Sequence, residues 1–441
     1  MSQGDVTAHL PRRRTERRGL RLWPVGTVLT LTFTAAILVA ATVFYTGWDL
    51  LSARGIKPEH RIDSTTLFDL VKLSFGVVAG AGALVALVVA YRRQRVDEDG
   101  ALREATRLHT ERFTTAVTQL GDDSPAVRLG GVHALAGLAD DAPTRPLRQT
   151  CIDVLCAYLR LPYTAEADLP AGDAEARHAY LALRQVRHTV IRLIRDHLCL
   201  APENPHSWQG HDFDLTDVTF DGGDLSGAQF SGSMVDFSNA QFSGSTVHFD
   251  GARFSGGRVV FDGARFSGDT VDFSSAQFSG GRVDFRSARF SAGRVVFHGA
   301  EFSGSTVLFH DAEFSGSTVD FSSTQFSGGR VVFHGARFSG SRVDFHRGEF
   351  SGGWVDFRGA EFSGGTVDFR SAQFSVGTGF FGIPRFSGGT VAVDFRHAEF
   401  SGGTVDFSSA VGVAPAGLVP PSGSPLPTGL ALPPAWYPAS A

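Results

Sequence analysis

A twelve-residue recurrence governs what this chain can fold into. From Phe230 the pair Phe-Ser, in most copies followed by Gly, returns every twelve residues, with Phe230, Phe242, Phe254, Phe266 and Phe278 in register and the series running on to Phe386. A fixed period of this kind is the mark of a solenoid. A second phenylalanine stands seven residues after each of the first: Phe237, Phe249, Phe261, Phe273, Phe285 and onward. Two residues before each ring is a small or branched apolar side chain, Ala228, Ala240 and Ala252 in one series, Val235, Val247 and Val259 in the other. Apolar residues at i−2 and i lie on one face of a short extended segment. The Ser-Gly step supplies the turn that must follow, because Gly takes positive φ without steric cost. One such segment cannot bury its Phe, whereas stacked coils can, each ring lying on the equivalent ring of the next coil. Glycine-rich disorder would not hold large apolar residues at fixed spacing.

The first units, FDLTD, VTFDG, GDLSG and AQFSG, space Leu215, Phe220, Leu225 and Phe230 by five residues without a gap. They resemble the pentapeptide-repeat family, whose units read A(D/N)Lxx or AxFxx and build a right-handed quadrilateral β-helix. After Gly232 the pattern departs from that family, two residues entering alternate units before Val. The spacing predicts a repeat domain over 213–410 with four faces and 24 residues per coil. Roughly eight coils at the ~4.8 Å strand spacing would give a rod of about 40 Å. A flatter twelve-residue coil of twice the length is the alternative, but two Phe in a narrow loop would crowd it.

Elsewhere the chain divides by composition. Residues 1–24 form a basic N-terminus with Arg12, Arg13, Arg14, Arg17, Arg18 and Arg21. An uncharged stretch follows at 25–45, flanked by Trp23 and Trp48, and reads as a first transmembrane helix rather than a cleaved signal peptide. A second transmembrane helix is predicted over 67–91, closed by Arg92, Arg93 and Arg95, with Lys72 placed to snorkel. The arginines put both chain ends in the cytosol and make 46–66 a short external loop. Gly76 and Gly80 offer close helix approach, either to the first span or to a second copy in a homo-oligomer.

Residues 97–200 read as a small all-α cytoplasmic domain. Leu102, Ala105, Leu108, Phe113, Val117 and Leu120 share a face of a helix running on from the second span, and Gly121 ends it. Ser124 and Pro125 then start another, RQTCIDVLCAYLRLPY makes a third, and a fourth spans about Ala174 to Leu198. Cys151, Cys156 and Cys199 show no CxxC spacing and read as buried apolar thiols. The tail, 411–441, carries Pro at 415, 420, 421, 425, 427, 433, 434 and 438, and is expected to be extended and disordered. A membrane hairpin, these helices and the repeats together look like the membrane-associated pentapeptide-repeat proteins abundant in high-GC Gram-positive bacteria. That resemblance covers most of 25–410 and implies architecture far more than activity.

The sequence offers no catalytic, cofactor-binding or metal residue to single out, and the chain reads as a non-enzyme. Serine repeats at every Phe-Ser-Gly, and repetition argues for a turn role where chemistry needs one singular constellation. His298, His310, His334, His346 and His397 follow the second Phe and His248 precedes one; a 24-residue coil would make His310 and His334 neighbours. No Cys or carboxylate completes a metal set around them. GTGFFG at Gly377 to Gly382 has the letters of a nucleotide loop without a following helix. Near Ile383 and Pro384 the repeat loosens, and a two-residue insertion precedes Phe395. The expected function is a membrane-tethered scaffold whose outer faces bind an unknown protein. The alternative, implied by the family, is a DNA mimic acting on DNA gyrase; residues 213–410 hold 15 Arg against 22 Asp and Glu, 15 − 22 = −7, so an acidic rod would be weak. Nucleic acid itself is not an expected partner.

Overall fold

The computed structural model describes residues 64–166, 169–375 apart from 233 and 352, then 378–380, 385–386, 392–401, 404–410, 414–419, 425–427 and 430–437, with scattered positions between 27 and 49. It divides into two units, Met1–Ala105 and Thr106–Ala441.

In the first unit the described element is the start of α1, Ser64–Leu120. Among the described residues no helix is long and apolar enough to cross a membrane. The first predicted transmembrane segment, 25–45, and the loop 46–66 lie largely outside the described residues, as do several side chains of the second, Leu67 and Leu70 among them. Within 67–91, α1 continues without a break into the charged stretch after Tyr91 and ends at Leu120, just before Gly121.

The second unit holds three more helices: α2, Pro125–Asp140, α3, Arg145–Arg160, and α4, Ala174–Leu198. Pro125 opens α2 as predicted, but Ser124 makes no side-chain cap; Asp122 Oδ1 accepts from its amide at 2.8 Å. The α2 helix approaches the end of α1 so closely that a Cβ on Gly131 would stand 2.5 Å from the Leu120 nitrogen. Asp173 caps α4 by accepting from the Ala176 amide.

From Phe213 the chain winds into a right-handed β-solenoid of about eight turns, four strands to a turn. Each strand pairs in parallel with the fourth one after it, which builds four sheets. The first sheet starts with β1, Phe213–Asp214, the second with β2, Thr219–Phe220, the third with β3, Gly223–Asp224, and the fourth with β4, Gln229–Ser231. Register follows the sequence period: Phe254 pairs with Phe278 and Phe278 with Phe302, which settles the coil at 24 residues. The opening coil is shorter, Phe213 pairing with Val235 and Thr219 with Gln241. The insertion before Phe395 lengthens one coil, yet Val367 still meets Val393.

Inside, the rings form four columns. Phe242 lies 4.8 Å from Phe266 at 1°, Phe278 4.7 Å from Phe302 at 4°, Phe285 4.9 Å from Phe309 at 3°, and Phe297 4.8 Å from Phe321 at 4°. Parallel offset rings at the strand spacing are the geometry that stacked coils impose. Where the two inner columns face, rings meet edge to face, as Phe285 and Phe297 do at 6.0 Å and 89°. Ala and Val at i−2 fill the remainder of the buried core.

The helices close the first coil. Helix α3 packs on β1, and α4 packs on β3, where a Cβ on Gly223 would sit 3.2 Å from Ile191 Cδ1. Arg187, 4 % exposed, donates to the carbonyls of Leu159 and Thr219, both at 2.7 Å, tying helix to coil. Core residues of helices and solenoid therefore form one cluster.

The tail corrects the expectation of disorder. Its described residues fold back over the last coil: the strand Leu430–Ala431 pairs with the strand Thr404–Asp406, and a short 3-10 turn at Pro434–Trp436 buries Trp436. Proline richness sets local stiffness, but Leu418, Leu430, Leu432 and Trp436 have apolar surface to bury, and the final layer of rings offers the place.

Candidate functional site

Outward residues on the sheets form rows one strand apart, and these rows are the surface any partner meets. On the second sheet Arg289, Glu313, Arg337 and Glu361 alternate in charge and pair along the row. On the fourth sheet the row reads Gln277, Glu301, Gln325, Glu349, Gln373, beside a parallel row of serines. These serines, the repeated Ser of Phe-Ser-Gly, sit in strands and pair in register, Ser279 opposite Ser303.

A second kind of serine and its aspartate shape the corners. Asp236, Asp272 and Asp320 each accept from the amide and hydroxyl of the serine two residues on. At other corners arginine takes the serine's place: Arg358 holds Asp356, Arg370 holds Asp368, and Arg396 holds Asp394. Asp284 is fully buried yet satisfied, with Arg286 Nε at 2.8 Å and Arg282 at 3.1 Å. The Arg396 guanidinium keeps Asp394 below the usual carboxylate range. Much of the rod's acidity is thus committed to its own turns.

The histidines fall as the period predicts. His310 and His334 stack at 5.1 Å and 4°, but His310 points to Asp311 and His298 to Ser322. One trio among the described residues brings ligand atoms within 4.8 Å of one another: His248, Asp250 and Asp272. All three are exposed or half-buried, and Asp272 is already engaged with Ser274. Of GTGFFG only the strand Thr378–Phe380 is described, so most of that motif lies outside the described residues.

The singular clusters are elsewhere, one where α4 meets the first coil and one between α2, α4 and the segment that follows α4. Asp221 is buried; its carboxylate accepts from the Tyr163 hydroxyl at 3.1 Å and from Tyr180, with Arg184 Nε at 3.4 Å. Burial and that carboxylate push the Tyr180 phenol up to about 12. His188 Nε2 lies 3.0 Å from the Asp221 carbonyl, and burial lowers its pKa, so a neutral ring donates there. Beside it opens a groove of about 430 Å³ lined by Gln185, His188, Arg192, Arg195 and Asp224. A second cluster joins Asp140 to His197 Nε2 at 3.1 Å and to Trp208 Nε1 at 3.2 Å, the imidazole stacked on the indole at 4.1 Å. Neither cluster presents an activated nucleophile; their groups are spent on one another. Burial raises the thiols of Cys151 to about 11 and Cys156 to about 12. Cys199 departs from the sequence reading, being exposed, because it follows the last turn of α4.

Four sheets, 24-residue coils and a small-x-Phe core define a quadrilateral β-solenoid. A family model described as pentapeptide repeats (9 copies) matches residues 215–258 and 297–349, and the chain carries pentapeptide repeats. The match covers the repeats alone. Comparison with curated proteins and with solved structures returned no match.

Proposed function

We propose that this chain is a non-catalytic scaffold whose solenoid faces bind a protein partner. The observation that carries the reading is the exterior itself: among the described residues the outer rows repeat coil after coil, and the groups of the two singular clusters are engaged with one another. Flat, rigid rows one strand apart suit recognition of another protein surface by complementarity. Photo-crosslinker placed at Gln325 on the fourth sheet and at Arg337 on the second, in the full chain and in cells, should capture one protein reproducibly. Capture of nothing above background from these and two equivalent positions on the other sheets would count against a protein partner.

Membrane tethering through 25–45 and 67–91, with both chain ends and the repeats in the cytoplasm, belongs to the same proposal. Its support is sequence and exposure: Leu73 is 70 % and Phe75 71 % exposed, apolar surface that a bilayer would cover. The chain should stay with membranes through alkaline carbonate extraction and leave them when 25–91 is deleted. DNA mimicry remains the second reading. The arginine-held carboxylates favour the first, and a gyrase supercoiling assay unaffected by micromolar protein is the expected result.

A further inference from the structure

We infer that His248, Asp250 and Asp272 form a divalent-metal site that clips two neighbouring coils of the solenoid, with zinc the ion that its ligand set fits best. The repeat is broken where the site stands. From Val235 onward the residue between valine and phenylalanine is Asp, Val or Leu in every unit but VHFDG, which puts His248 before the ring and Asp250 after it. At the capped corners an aspartate before the ring accepts from the residue after it, as Asp272 does from Ser274. In VHFDG the carboxylate has changed sides and a histidine holds its place.

Parallel pairing supplies the third ligand. His248 stands in register with Asp272 on the following coil and with Asp224 on the preceding one. The Phe249 amide donates to the Asp272 carbonyl at 2.7 Å and the Gly251 amide to the Ser274 carbonyl at 2.8 Å, so the backbones carrying the three side chains are fixed to one another. The ligand atoms lie within 4.8 Å of one another. An ion that binds nitrogen and oxygen at ~2.0–2.2 Å needs them roughly 3–3.5 Å apart, a step that rotation of solvent-facing side chains covers.

Each ligand is able to take that step. His248 Nδ1 is 3.6 Å from Asp250 Oδ1, too far for a hydrogen bond to commit either group. Asp272 spends Oδ1 on both the Ser274 amide and hydroxyl, at 2.8 and 2.5 Å, which leaves Oδ2 to coordinate. Asp224 accepts from the Ser226 amide at 2.9 Å and lies 3.5 Å from Arg195 Nε, so it balances that cation and stays out of the set. One imidazole nitrogen with two carboxylates neutralises a divalent ion and selects zinc over magnesium or calcium, which favour oxygen shells. His310 and Asp311, 3.1 Å apart, offer the same ligand types, but among the described residues no third ligand joins them.

The test uses the untagged full chain carrying Cys199→Ser, which removes the exposed thiol as a competing ligand. Stripped with chelator and titrated with zinc ion alone in a calorimeter, it should bind one ion. Affinity should fall at least about tenfold, about 1.4 kcal/mol, in His248→Gln and in Asp272→Asn, and stay unchanged in His310→Gln. Zinc should also slow hydrogen exchange at the Phe249 and Gly251 amides, which cross between the clipped coils, and should not do so in His248→Gln. No binding to the parent chain, equal affinity in His248→Gln, or an equal loss in His310→Gln would overturn the inference. Should Asp272→Asn lose its far-UV β signal, Asp250→Asn takes its place, since Asp250 caps no serine, and must show the same loss.

Discussion

Phe285 lies between Phe261, 4.6 Å away at 4°, and Phe309, 4.9 Å away at 3°, with Phe273 and Phe297 edge-on. Phe285→Ala should therefore cost about 3–5 kcal/mol in urea unfolding, as buried aromatic deletions do. Gln325→Ala, outward on the fourth sheet, should change stability by no more than about 0.5 kcal/mol. The corner two residues after the second Phe adopts left-handed backbone whatever residue stands there: Gly at 251, 263 and 299, but Arg347 at φ 55° and His397 at φ 62°. Arg347→Gly should relieve that strain and stabilise by about 0.5–1 kcal/mol, seen as a raised urea midpoint. The core residues were legible because their spacing repeats. This second corner was not, since Ser, Asn, Asp, Arg and His all occupy it and blur the glycine signal that marks the first.

Between elements, one polar cluster ties α2 to α4 and another ties α4 to the first coil. His197 Nδ1 lies 2.6 Å from the Leu193 carbonyl and Nε2 3.1 Å from Asp140, both acceptors, so both nitrogens carry protons. Burial opposes the charged ring, but the Asp140 carboxylate and the Leu193 carbonyl outweigh it, with Asp196 adding to them, and raise the pKa above its usual value. His206 also faces Asp140, at 3.9 Å. A raised folded pKa means that this stabilisation is complete below the unfolded value near 6.5 and fades as pH climbs through the folded one. The excess urea midpoint of the wild type over Asp140→Asn should therefore shrink on that climb. Asp221→Ala strands the Tyr163 and Tyr180 hydroxyls and the Arg184 charge, and should cost about 2–4 kcal/mol. Hydrogen exchange should then rise first in β1 to β4. Helix positions could be read from periodicity and Pro125, but these locks join residues far apart in sequence with no repeat to announce them. The tail was misread for the same reason: its prolines are visible in the chain, its contact with the last layer of rings is not.

At the scale of the solenoid, coil length is a consequence of pairing rather than of the twelve-residue period. Deleting 290–313 joins Arg289 to Phe314, the register partner of Phe290 one coil on, and should leave the β spectrum intact with a thermal midpoint within about 5 °C. Deleting only 290–295 shifts the repeat by six residues, sets Phe309 at the place of Ser303 opposite Ser279 in the outward serine row, and should abolish cooperative melting. Because each turn knows only its neighbours, the gene can add or lose turns while both ends stay as they are. Whatever docks near the tail is then moved in equal steps of one strand spacing, and this protein becomes a ruler whose graduations are written 24 residues at a time.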